Sequence, residues 1–170
     1  MTKTPEQIKQ YEILEKIKKD FKDFLQGAKK KFISEHFTLF SVCNSITALT
    51  KGIDNRPTIQ NIANATALAK NCMEKLFEKF GIDEDCINSW FRIIKLNRAI
   101  GSVDTSQHPL GMAVDFTPKK YSLLIVFNWI KKNLIYDQVI LENGWIHLSY
   151  SLIKNRRQSL KLVNGKYIPA

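Results

Sequence analysis

Cysteine is too scarce to organise this chain. Its 170 residues hold Cys43, Cys72 and Cys86, odd in number and without a C-x-x-C pair. That excludes a disulfide framework and a thiolate metal site, and predicts buried reduced thiols. Long apolar runs are missing too: no stretch of about 18 apolar residues exists, so no transmembrane helix is expected. The amino terminus has neither an apolar core nor a small-residue cleavage site, so no secretory signal is read there. This predicts a chain made in a bacterial cytoplasm. Repeats, linkers and low-complexity tracts are also absent.

What remains is a chain with 44% hydrophobic residues, enough to bury one core. Its formal net charge is +10, which predicts a polyanionic partner, either nucleic acid or an anionic wall polymer.

Thr4-Pro5-Glu6-Gln7 reads as a capped helix start, with proline at the first helical position and Gln7 completing a capping box. Apolar residues follow at three-and-four spacing from Ile8 to Ala28, with lysines opposite. Residues 1–31 are therefore expected to form a basic amphipathic helix, and 32–170 the main domain. A second helix is expected over 58–80, closed by Gly81. Cys86 to Leu96 reads as a strand followed by a turn, and 97–105 as a loop. Residues 112–116 read as a short buried strand, and Thr117-Pro118 as the start of a helix running to about Asn133. Asn143-Gly144 and Asn164-Gly165 each sit between strand-like runs, the strongest short-range sign of a β-hairpin. Helices first, then strands mixed with one helix, predict an α+β fold: a small antiparallel sheet with helices packed on it.

The stretch Ser106 to Asp115, SQHPLGMAVD, carries the chemistry. His108 and Asp115 are both good metal ligands, and Gly111 and Ala113 keep the segment between them compact. His147 follows in WIHLS, 32 residues beyond Asp115. Two imidazoles and one carboxylate form a complete protein donor set for a catalytic zinc, with the fourth position left to water. The chemistry also needs a group to take a proton from that water. A two-residue turn at Asn143-Gly144 sets Glu142 opposite Trp145 and therefore on the face of His147. Glu142 is accordingly the candidate general base. Trp145 is expected to pack beside the metal, with substrate contact as a second reading, and Ser149 alternates onto the same face.

The pattern S-x-H-x-x-G-x-A-x-D followed by W-x-H-x-S resembles the zinc D-alanyl-D-alanine carboxypeptidase family of peptidoglycan peptidases, whose fold is shared by hedgehog signalling domains. The likeness runs from about Phe37 to the C-terminus and includes the turn and helix start in GIDNRPTIQNIANA. It implies zinc held by His108, Asp115 and His147. It also implies hydrolysis of a peptide bond in peptidoglycan stem peptides or crosslinks, with anionic wall polymers as further partners. Ser89-Trp90-Phe91-Arg92 and Leu96-Asn97 are similar to a family segment whose arginine holds the substrate's carboxylate, which gives that role to Arg92. Ser106 is expected on the substrate side, orienting the motif backbone. Two positions depart from the family: Met112 where many members have a basic or polar residue, and Gly144 where several have an acidic one. The compact basic chain without a secretion signal is similar to phage-encoded wall peptidases that act at lysis. The alternative is a catalytically inactive module that keeps zinc for stability and binds wall peptide. Nucleic-acid binding would explain the charge but not the His/Asp constellation, so no nucleic-acid partner is expected.

Overall fold

The computed structural model describes residues 4–170, so the first three residues of the expected helical region lie outside it. Helix α1 (Pro5–Ala28) starts as its sequence dictates: the Thr4 hydroxyl accepts from the Gln7 backbone N–H, and the Gln7 side chain accepts from the Thr4 N–H. Its C-terminal half buries Phe21, Leu25 and Ala28 in the same core as the rest of the chain. The basic helix is therefore packed, over that half, onto the fold itself. Short helices α2 (Leu39–Cys43) and α3 (Ile46–Lys51) follow. Helices α4 (Ile59–Leu68) and α5 (Glu74–Phe80) are joined by a π-helical segment, Ala69–Met73. The periodicity over 58–80 thus describes one rod with a wider turn inside it. Gly81 ends it in the left-handed conformation, as its position after the last apolar residue predicts.

Among the described residues six strands form one sheet: β1 (Ile87–Ser89), β2 (Ala113–Phe116), β3 (Gln138–Leu141), β4 (Ile146–Ser149), β5 (Gln158–Val163) and β6 (Lys166–Pro169). The order is β1-β2-β4-β3-β5-β6. All neighbours are antiparallel except β3 and β5. Both Asn-Gly turns close hairpins, and Glu142 N–H donates to the Trp145 carbonyl as the two-residue turn requires. The class is α+β, with helices packed on a mostly antiparallel sheet. Among the described residues no helix is long and apolar enough to cross a membrane. All three cysteines are free and buried.

Two local expectations are corrected. The segment read as strand then turn yields only a three-residue strand, after which Ile94–Ala99 forms helix α6. The β-branched residues Ile93 and Ile94 obscured that helix, because their β preference is weaker than tertiary context. Helix α7 (Leu123–Asn133) begins at Ser122, whose hydroxyl caps the Ile125 N–H, and not at Thr117-Pro118. Thr117 is used elsewhere: its hydroxyl accepts from the Asn88 side chain and donates to the Gly144 carbonyl.

One buried polar residue ties the helical half to the sheet. The Asn55 amide donates to the carbonyls of Cys43 and Phe91, and its oxygen accepts from the Ile93 N–H. A fully buried amide in this position stabilises only because its donors and acceptor find partners. Its effect is to fix the backbone from Phe91 to Ile93, which borders the site described next.

Candidate metal centre

His108 opens a single 3-10 turn, His108–Leu110, clamped from both sides. From α4, the Asn61 and Asn64 side chains donate to the Pro109 and Leu110 carbonyls. From the other side, the Arg92 N–H donates to the His108 carbonyl. Gly111 then reverses the chain at φ +73°, pressed against α4 so closely that a Cβ would meet the Asn61 carbonyl oxygen at 2.4 Å. Gly111→Ala is therefore expected to lose about 3 kcal/mol or more, from left-handed strain plus a clash with rigid backbone. Urea unfolding of the metal-free protein checks this, and wild-type stability would refute it.

Past Gly111 the chain enters β2, which presents Asp115 directly across from His147 of β4. Strand pairing thus joins two donors that are far apart in sequence, and the glycine turn brings the third. One ligand atom from each of His108, Asp115 and His147 lies within 4.8 Å of the other two. Asp115 Oδ2 is 3.1 Å from His108 Nε2, and Asp115 Oδ1 is 2.8 Å from His147 Nδ1. His108 Nδ1 lies 2.5 Å from the Trp90 carbonyl. A carbonyl only accepts, so Nδ1 carries the proton and Nε2 keeps its lone pair. That lone pair faces a carboxylate oxygen. Two acceptors this close are repulsive alone and attractive around a cation, so the donor set fits a metal ion. The donor types, two nitrogens and one oxygen, suit zinc.

The electrostatics agree. Burial pushes His108 down, outweighing the Asp115 carboxylate that would raise it, so the imidazole is neutral and able to ligate.

Arg92 stands behind Asp115 with its guanidinium directed inward. Nη1 donates to Ser89 Oγ at 2.8 Å and to Asp115 Oδ2 at 3.3 Å, and Nε donates to Asn97 Oδ1 at 3.1 Å. Only 8% of the residue is exposed. Ser106 Oγ accepts from the His108 N–H at 3.4 Å. Ser149 does not reach a donor of the trio; its hydroxyl bonds the Gln138 backbone.

The trio opens into a cleft of about 570 Å³. Glu142 and Trp145 line it beside His147, on the face that strand alternation predicted. Burial pushes the Glu142 carboxyl above its ordinary value; a hydrogen bond from Tyr167 and the nearby His147 only partly offset this. Gln107 and Arg156 line the cleft as well, and both donate to the buried Asp137.

Sequence reasoning missed Gln107, Asp137, Arg156 and Tyr167. Asp137 and Gln107 were visible as polar residues flanking strand and motif, but nothing in their spacing shows that Arg156 joins them across the crossover between β4 and β5.

A comparison with protein families matches residues 35–149 to the profile described as Peptidase M15. This chain belongs to the peptidase M15 family. No curated protein matches it closely enough to add a nearer relative. M15 peptidases are zinc-dependent, which agrees with the donor set built by His108, Asp115 and His147. Membership makes the chain a metallopeptidase acting on a peptide substrate. The M15 match covers both halves of the metal centre and Arg92, and stops at Ser149, before β5 and β6.

Proposed function

We propose that this M15 peptidase hydrolyses peptide bonds in peptidoglycan stem peptides or crosslinks. The observation that carries the reading is the convergence of His108, Asp115 and His147 in one cleft with a half-buried carboxylate, Glu142, beside them. His108, Asp115 and His147 would hold zinc. The metal supplies Lewis-acid polarisation of the scissile carbonyl and acidifies water. Glu142 accepts the proton from the attacking water and returns it to the leaving nitrogen as the C–N bond breaks. Its raised proton affinity suits both steps. Arg92 holds Asp115 in place and brings positive charge to the cleft edge, where it attracts a substrate carboxylate or carbonyl oxygen. Ser106 steadies the His108 backbone, and Trp145 offers an aromatic face to the substrate. The basic surface draws the enzyme to anionic wall polymers. On this reading the chain is made in a bacterial cytoplasm and acts on the wall, as phage lysis enzymes do.

Purified peptidoglycan incubated with the zinc-loaded protein, with and without chelator, tests this by mass spectrometry of the products. Chelator-sensitive release of D-alanine or of cleaved stem peptides is expected. Binding to the wall without any product would instead support a zinc-stabilised binding module.

A further inference from the structure

The last two strands lie outside the M15 match, yet they reach the active cleft. β5 pairs in parallel with β3, and β6 folds back along β5 at the sheet edge. The parallel pairing aligns Leu141 with Lys161, and Leu162 stands opposite Tyr167. This carries Tyr167 to the end of β3, just where Glu142 leaves the strand. The Tyr167 hydroxyl donates to Glu142 Oε1 at 3.0 Å, and both side chains line the cleft. Leu160 of β5 lines it too. A hairpin that served only to cover an edge would have no need of a hydroxyl aimed at this carboxylate.

We propose that the C-terminal hairpin completes the active site, with Tyr167 as the positioning residue for Glu142. One carboxylate oxygen is held by the phenol, which fixes the side-chain rotamer and leaves Oε2 to face the cleft and exchange protons. This rests on Glu142 being the general base. The same hydrogen bond stabilises the ionised carboxylate against the burial that disfavours it. Three titratable groups surround Glu142: Tyr167 from β6, His147 from β4 and Asp115 from β2. Of these, Tyr167 is the one that can be altered without touching a metal donor.

The test compares Tyr167→Phe and Glu142→Gln with wild type on soluble muropeptides made from purified peptidoglycan. Tyr167→Phe keeps the ring and removes only the hydroxyl. It is expected to lower kcat about tenfold, the scale of losing one hydrogen bond to a charged group, with KM nearly unchanged. The acidic limb of its kcat/KM profile should move to higher pH. Independently of turnover, carbon NMR of glutamate labelled at Cδ in the metal-free protein should show the Glu142 titration moving the same way. If Glu142→Gln is inactive while Tyr167→Phe matches wild type in kcat, pH profile and NMR titration, the hairpin's role is overturned and the base assignment stands. If Glu142→Gln stays active, the base assignment falls, and the positioning role with it.

Discussion

Asp115→Ala is expected to empty the metal centre and destabilise the fold in one step. The side chain is one of the three candidate donors, and it is also the buried counter-charge of Arg92. Removing it leaves an Arg92 side chain that is 10% exposed, with its guanidinium bonded to Ser89 and Asn97 alone among the described residues. Breaking a buried ion pair from one side costs about 3–5 kcal/mol, because the remaining charge has lost its partner without regaining water. His147→Ala separates the two effects. It removes a donor but keeps the Arg92–Asp115 contact, so it should lose zinc with a smaller loss of stability. Zinc content by elemental analysis and unfolding of the metal-free proteins measure both quantities. An Asp115→Ala protein that keeps stoichiometric zinc would refute the donor assignment. Equal stability of the two metal-free variants would refute the role given to Arg92.

Glu142→Gln should have the opposite signature, with full metal content and little catalysis. The amide preserves size and can still accept from Tyr167, but it cannot take a proton. General-base removal typically costs about 10²–10⁴ in rate. The pH dependence follows from the same group. Burial raises the Glu142 carboxyl above its ordinary value, and the base must be ionised to work. Activity should therefore fall as pH drops through a value above that of a solvated glutamate, and this limb should vanish in Glu142→Gln. A wild-type acidic limb at or below the value of a free glutamate would contradict the assignment.

The cluster of His108, Asp115 and His147 was legible in the sequence because local rules place its members. A glycine turn after His108, one strand carrying Asp115 and an Asn-Gly hairpin before His147 are short-range signals. Period-two alternation then tells which residues share a face, and it put Glu142 and Trp145 beside His147. The parts that escaped depend on distant contacts. Nothing near Arg92 in sequence reveals that its guanidinium points inward to Asp115 and not outward to solvent. Asn55 sits in a turn-rich loop that reads as surface, yet it is fully buried and bonds three backbone groups in two segments. Tyr167 looks like any strand tyrosine until β5 is known to pair with β3, a parallel register that no hairpin signal encodes. One helix start failed for a simpler reason: Thr117-Pro118 and Ser122 both carry capping chemistry, and the Thr117 hydroxyl is committed to Asn88 and Gly144.

Placing Asp115 and His147 directly across a strand pair bears on which ions the protein accepts. Their α-carbons stand at the spacing common to all antiparallel neighbours, about 4.5–5.5 Å. Widening that grip for a bulky cation would mean tearing the ladder in the middle of the sheet. His108 is no freer, because its turn is clamped by Asn61, Asn64 and Arg92 and its ring is held at the Trp90 carbonyl. The scaffold thus behaves as a caliper with fixed jaws, and its two nitrogen donors and single carboxylate predict weak binding of calcium, which takes six to eight oxygen ligands.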